Sequence, residues 1–187
     1  MTESTAHSQA PPIDLSNWRM AGAGGFKLLG DVIESYGGSG ILWYEPATFG
    51  DFVLRIEWRV QSEEDNSGVF VRIPPLGDGV QRAIDEGYEI QIDERGLDPG
   101  TGRLGSALHA TGAVYGLAPA TTRASRAIGA WNVFEITLRG LDISVRLNGM
   151  PASHLENGDR RRRGHIGLQA HHAGSAVQFR GLAIKPL

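Results

Sequence analysis

The sequence predicts an all-β domain, a sandwich or barrel of antiparallel strands. Three observations carry this expectation. Apolar residues recur with a period of two through every readable segment. Glycine, at 26 of 187 residues, punctuates those segments at roughly twice its ordinary frequency. No stretch of ten residues repeats with the helical period of about 3.6.

The elements follow in order. Residues 1–17 are polar and interrupted by proline, which predicts a disordered or loosely packed lead-in. Residues 18–187 then read as one domain. Over residues 51–60, Phe52, Leu54, Ile56, Trp58 and Val60 alternate with Val53, Arg55, Glu57 and Arg59, giving a strand with an apolar and a largely charged face. Residues 68–73 (GVFVRI) are short and β-branched, and residues 80–86 suit a short helical turn. Residues 88–93 alternate Tyr88, Ile90 and Ile92 with Glu89, Gln91 and Asp93. Residues 96–129 are rich in Gly, Ala and Pro, and a loop of that length is usually functional or only partly structured. Phe134, Ile136 and Leu138 lie on one side of residues 132–139, and residues 141–147 alternate likewise, with a hairpin turn at Arg139-Gly140. Asn148-Gly149 is a second turn signal. Residues 165–171 and 177–184 read as two last strands.

Composition excludes several classes. With 18 basic and 21 acidic residues the net charge is -3, which speaks against binding nucleic acid through overall basicity. No apolar run approaches ~18 residues, so no membrane span is expected. Cysteine is absent, which removes disulfides, zinc thiolates and cysteine nucleophiles. The first residues lack the basic-then-apolar pattern of a signal peptide, and a cytoplasmic location is expected. Gly100-Thr101-Gly102-Arg103-Leu104-Gly105 matches G-x-G-x-x-G but follows Asp98-Pro99 rather than a strand, so it reads as a loop. Arg160–Arg163 reads as a solvated turn, with an anion patch as the other reading. Glu63-Glu64-Asp65-Asn66 offers oxygens without calcium-loop spacing, and no cofactor and no metal are expected.

One constellation survives. Side chains at i and i+2 on a strand share a face about 6.5–7 Å apart, so Glu89, Gln91 and Asp93 form a polar row. Glu57 with Arg55 and Arg59 forms a second row, Arg72 lies in parity with Phe70, and His165, Gln169 and His171 form a third. If the rows face one side, they make a polar concavity with aromatic rings. Such a surface suits a sugar, since amides and carboxylates bind hydroxyls and rings stack on C–H faces. The other reading is the ordinary wet face of an antiparallel sheet. His109 sits in the long loop, where a site role and none are equally open, and His172 reads as a surface residue.

Six ordered blocks, DFVLRIEWR, NSGVFVRIP, GYEIQID, TGAVYGLAPA, WNVFEITLRG…ISVRLNG and GHIGLQAHH…VQFRGLAIK, resemble the 3-keto-disaccharide hydrolase family over about residues 25–185. The resemblance implies a concanavalin A-like jelly roll of two antiparallel sheets. It also implies action on glycosides whose sugar carries a ketone at C3. Such a ketone acidifies C2–H; a base removes that proton, the enolate expels the C1 substituent, and water can add back. The protein must supply a base, a stabiliser of the enolate oxygen and a proton for the leaving group.

By resemblance, Glu89 and Gln91 match the Tyr-Glu-x-Gln block, Tyr115 the Gly-Ala-x-Tyr block, Asn66 and Arg72 the Asn-Ser-Gly-Val-Phe-x-Arg block, and Gln169 and His171 the Leu-Gln-x-His block. Two positions depart from it: Ile92 is followed by Asp93-Glu94, and the family's His-Gly is His171-His172. The expected catalytic groups are Glu89, His171 and Glu57. The expected sugar-binding groups are Arg72, Gln91, Asp93, Tyr115, Gln169 and Asn66. The expected partner is a small-molecule sugar or glycoside, with neither nucleic acid nor membrane. The alternative is a non-catalytic, lectin-like carbohydrate-binding domain.

Overall fold

The computed structural model describes residues 15–187. Residues 1–14 of the expected loose lead-in lie outside the described residues. Its last three residues are docked rather than loose. Leu15 packs against the core, its carbonyl accepts from Trp18 N at 3.1 Å, and the Asn17 carbonyl accepts from Glu45 N at 3.2 Å.

Among the described residues, twelve strands and one short helix make up the fold. They are β1 (Trp18–Gly22), β2 (Gly25–Leu29), β3 (Val32–Tyr36), β4 (Gly40–Tyr44), β5 (Phe52–Arg59), β6 (Asn66–Ile73), α1 (Gln81–Glu86), β7 (Tyr88–Asp93), β8 (Asn132–Arg139), β9 (Asp142–Leu147), β10 (Met150–Leu155), β11 (His165–Ala170) and β12 (Gln178–Pro186). All pairings between them are antiparallel. A five-stranded sheet runs β1-β4-β11-β6-β7, and a seven-stranded sheet runs β10-β9-β8-β5-β12-β3-β2. This is the concanavalin A-like sandwich that the sequence led us to expect.

Alternation places the core between the sheets. Phe52, Leu54, Ile56 and Trp58 of β5, Phe134, Ile136 and Leu138 of β8, and Tyr88, Ile90 and Ile92 of β7 all enter one buried cluster. Burial of each large side chain stabilises by about 1.5–3 kcal/mol, which holds the register of every contributing strand. The turns obey local chemistry. Leu147 pairs with Met150 across Asn148 and Gly149, whose φ angles of 51° and 82° are those of a tight two-residue hairpin turn. Asn148 Oδ1 also accepts from Val133 N at 2.9 Å, tying that turn to β8.

A second, smaller apolar cluster lies on the outer face of the five-stranded sheet. Ile41, Trp43, Phe70 and Ile73 pack there with Leu76 and with Ala83 of α1. This cap explains why every residue of β6 is buried. It also leaves the other half of that face open, where the polar residues of β6, β7 and β11 stand.

The arginine run does not form a free anion patch. Arg160 donates to the carbonyls of Ile84 and Gly87 at 2.7 and 2.5 Å, Arg161 pairs with Glu86 at 3.2 Å, and Arg163 donates to the Thr48 carbonyl at 2.9 Å. These bonds hold the loop before β11 against α1 and the loop before β5.

Candidate active site

Glu89 is positioned by a neighbour that has no side chain. Gly68 on β6 stands opposite Gln91 of β7, next to the Phe70–Glu89 pair. A Cβ built on Gly68 would lie 2.2 Å from Glu89 Oε1 and 2.7 Å from its Cγ. The Glu89 side chain therefore lies across the bare backbone of Gly68. A methyl there displaces the carboxylate rather than the strand, because the atoms it meets end a flexible chain. Gly68→Ala is expected to keep the fold and cut turnover on the substrate proposed below by at least about tenfold. Parallel circular dichroism and kinetics would check this, and an alanine variant with full turnover would refute the berth.

The amides of Gln91 and Gln169 stand against Glu89. Burial pushes its carboxyl up to about 8, and a hydrogen bond from Gln169 works against the shift. Turned so that its nitrogen faces Glu89, the Gln91 amide donates to Glu89 Oε1 and to the Ser67 carbonyl, each at 3.2 Å. The opposite orientation offers one longer bond, to Asn66 Oδ1 at 3.4 Å, and turns its oxygen toward acceptors. The Ser67 carbonyl can only accept, so it selects the first orientation. Gln169 Oε1 is buried without a partner among the described residues, which leaves an acceptor for a ligand hydroxyl.

A cleft of about 470 Å³ opens over this group, lined by Asn66, Glu89, Gln91, Tyr115, Gln169 and His171, with Leu97 and Pro99 on its loop side. That volume lies within the usual range for small-molecule sites. Tyr115 and the Leu97–Pro99 wall come from the 96–129 segment, which thus roofs the cleft. Tyr115 is set by the loop itself: its N–H donates to the Glu89 carbonyl at 2.9 Å, and its ring meets His109 edge-on at 4.8 Å. His109 is held in turn by Ser106 Oγ at 2.7 Å. Its position behind Tyr115 is a supporting one. Burial, and then the nearby Glu89 charge, raise the Tyr115 phenol, so it stays a hydrogen-bond donor at neutral pH.

His171 follows β11 at the rim. Its Nδ1 lies 3.0 Å from His172 Nδ1, so one of the two imidazoles donates and the other accepts. Desolvation and then His172 lower the His171 imidazole below its ordinary value. The residue is exposed overall, which limits how far desolvation can move it. His171 is therefore neutral at pH 7, as is Glu89: loss of water disfavours the charged form of each, which raises the carboxyl and lowers the imidazole.

Three expected site residues lie elsewhere. Glu57 belongs to β5 in the seven-stranded sheet, where it pairs with Arg180 at 2.8 Å and Arg55 at 3.0 Å. The Arg180 hydrogen bond holds its carboxyl below the usual range. Parity along β5 made it polar-facing, but on the other sheet.

Arg72 is fully buried and has a φ of 54°, which breaks the parity it would have shared with Phe70. Its guanidinium donates to Gly50 O at 3.2 and 2.9 Å, to Gly140 O at 2.8 Å and to Asp51 Oδ1 at 3.1 Å. It ties β6 to the loop before β5 and to the β8–β9 turn. Asp93 is also fully buried. Its carboxylate accepts from Arg95 N at 2.9 Å, Leu97 N at 3.0 Å and Asn66 Nδ2 at 3.2 Å, shaping the start of the long loop rather than facing the cleft.

The cleft also contains groups that sequence reasoning missed. Ser39 lies beyond β3 and Ile84 on α1; both line it, as do Leu97 and Pro99. Only the unusual length of the 96–129 segment hinted at any of these. Among the described residues no three His, Asp or Glu side chains gather to hold a metal ion. Asp65, one of the oxygens considered for calcium, accepts instead from Gln61 N, Ser62 N and Ala176 N at 2.7–2.9 Å.

Comparison with known proteins follows the same lines. A family model described as a 3-keto-alpha-glucoside-1,2-lyase-like domain matches residues 13–185. No curated protein matches the chain in sequence. Among solved structures, a provisionally assigned glycosyl hydrolase of Parabacteroides distasonis superposes with a TM-score of 0.78 at 20% identity, covering 93% of this chain and 90% of that one. A Bacillus subtilis protein with a galectin-like fold superposes at 0.68 with 12% identity, covering 96% and 98%. A carbohydrate binding module of Bacillus subtilis superposes at 0.64 with 10% identity, covering 92% and 97%. Likeness at these identities speaks to the fold.

Proposed function

Because the chain belongs to the 3-keto-alpha-glucoside-1,2-lyase-like domain family, we propose that its cleft takes a glycoside oxidised at C3 and breaks the C1–oxygen bond by elimination. The carrying observation is the pair of titratable groups on one cleft whose surroundings push them in opposite directions. Glu89 is raised to about 8 and His171 is lowered, so at pH 7 one is an acid with a proton to give and the other a base free to take one.

In this reading His171 removes the C2 proton, and the electron pair is delocalised onto the C3 oxygen. The Tyr115 phenol, which lines the same cleft, donates to that oxygen as charge develops on it. The enolate collapses to a C1–C2 double bond and a restored ketone while the glycosidic oxygen leaves with the Glu89 proton. If water then adds at C1, its hydroxyl bonds to C1, the Glu89 carboxylate accepts the proton it sheds, and the histidinium returns to C2 the proton taken from it earlier. The sum is hydrolysis; stopping before water gives a lyase.

The assignment predicts a bell-shaped dependence of kcat/KM on pH. Activity rises as His171 loses its proton, below the ordinary histidine value of about 6.5. It falls as Glu89 ionises through about 8. A rising limb near 8 would instead make Glu89 the base. A lectin-like reading has one observation in its favour, the row of amides from Asn66, Gln91 and Gln169, which suits hydroxyl recognition. A binder, however, has no use for a carboxyl kept protonated at neutral pH.

Incubation with 3-keto-trehalose and with trehalose in D₂O separates the two. We expect release of sugar and exchange of the C2 hydrogen with the keto form only. Binding of unoxidised trehalose without turnover of either would establish the lectin reading.

A further inference from the structure

A second concavity adjoins the first. It measures about 210 Å³ and is walled by Phe70, Ile84, Tyr115 and Leu117, with Arg160 at its edge. Glu89, Tyr115 and Ile84 line both spaces, so Glu89 stands at the seam between them. An acid that protonates a glycosidic oxygen must reach the bond joining sugar to leaving group, and a group at a seam has one part on each side. We propose that the larger, amide-lined space holds the oxidised sugar and the smaller one holds the leaving group, and that this leaving group is aromatic or otherwise apolar rather than a second sugar. The inference rests on the elimination reading and deepens it.

Three observations carry the choice. First, the two spaces differ in chemistry. The larger presents Asn66, Gln91 and Gln169, whose amides suit the hydroxyls of a sugar, and the smaller presents none of them. Second, the walls of the smaller space are apolar although the protein leaves them in water. Ile84 is 40% and Leu117 is 37% exposed, and Phe70 lies fully buried behind them. Together with Tyr115 they give the mouth of this space an apolar surface that an apolar ligand would cover. Third, the size fits. A cavity of about 150 Å³ lined by apolar side chains takes a benzene ring.

The walls are also held in place. Arg160 bonds the carbonyls of Ile84 and Gly87 and lies 5.7 Å over the Tyr88 ring, which fastens the C-terminal end of α1 to β7. Leu117 N donates to Val114 O at 2.9 Å, within a turn whose Val114 also bridges Ile90. The pocket is pre-formed, so filling it costs little ordering of the chain.

The test compares leaving groups of similar acidity, so that differences report contacts. Benzyl and methyl 3-keto-α-glucosides serve, with 3-keto-isomaltose, whose leaving group is also a primary alcohol, as the sugar-bearing competitor. We expect kcat/KM for the benzyl substrate to exceed both others by at least about tenfold, in line with what one small apolar group is worth in a fitted pocket. Leu117→Ser and Ile84→Ser, both at partly exposed positions, should each collapse the benzyl-to-methyl ratio toward one. Equal rates for benzyl and methyl, or preference for the disaccharide, overturn the inference while leaving the elimination reading intact. If no keto-sugar is turned over, the elimination reading fails, and the pocket is still read by binding. Benzyl glucoside should then shift the methyl resonances of Ile84 and Leu117 where methyl glucoside does not; equal shifts overturn the proposed pocket.

Discussion

Glu89→Gln is expected to lose at least about a hundredfold in turnover of a 3-keto-glucoside while gaining stability at neutral pH. The loss follows from its proposed role, since a positioned acid or base contributes typically ~10²–10⁴-fold. The gain follows from the same burial. In the folded protein the carboxyl keeps its proton up to about 8, whereas its ordinary value is 4.5. Between those values the folded state binds more protons than the unfolded chain, so stability declines as pH rises from about 4.5 to 8. Glutamine cannot ionise and escapes that decline. It keeps one oxygen to accept from Gln169 or Gln91, and its nitrogen takes the place of the acid's hydroxyl. The gain at pH 7 should be on the order of 2 kcal/mol, or about 5 °C in Tm. Thermal unfolding of both proteins at pH 5 and pH 7 checks it: the two curves should nearly coincide at pH 5 and separate at pH 7. Lost activity with lost stability would mark Glu89 as structural instead.

Arg72→Met gives the opposite pattern. Methionine keeps much of the volume and none of the donors, leaving the Gly50 and Gly140 carbonyls without their arginine partner. Unsatisfied buried acceptors cost ~1–3 kcal/mol each, so the expected destabilisation is about 3 kcal/mol, roughly 10 °C in Tm. Because the guanidinium lies with the β8–β9 turn and not in the cleft, kcat/KM of the folded variant should stay within about twofold of wild type. A stable variant with little activity would return Arg72 to the site that the strand pattern first suggested.

The contrast between Glu89 and Arg72 shows what strand parity can and cannot say. Both were placed by counting residues along a strand. For Glu89 the count holds, because β7 is regular and Tyr88, Ile90 and Ile92 fix its other face in the core. For Arg72 the count fails, because a left-handed φ ends the alternation at that residue. Nothing in GVFVRIP announces that reversal. Glu57 shows a different limit: its parity is right, yet parity does not say which sheet a strand joins. β1 to β4 and β10 escaped the sequence reading because they are five or six residues long and mixed in character. Short strands earn their place through pairing partners far along the chain.

The alternation in the sequence by itself determined that this protein is an all-β sandwich or barrel, which residues of β5, β7 and β8 fill it, and that Glu89 and Gln91 share a polar row. Those properties follow from local alternation, since a one-residue slip would turn each apolar face to water. Only the tertiary structure decided that β6, β7 and β11 lie side by side, that Gly68 yields room for the Glu89 carboxylate, and that Tyr115 arrives from a long loop to roof it. It also decided that Glu57, Arg72 and Asp93 belong to the framework. The reason is physical: a site is made of contacts between strands distant in sequence, and such contacts depend on sheet order and on where backbone geometry departs from the regular pleat. Neither is written in the periodicity of any one strand.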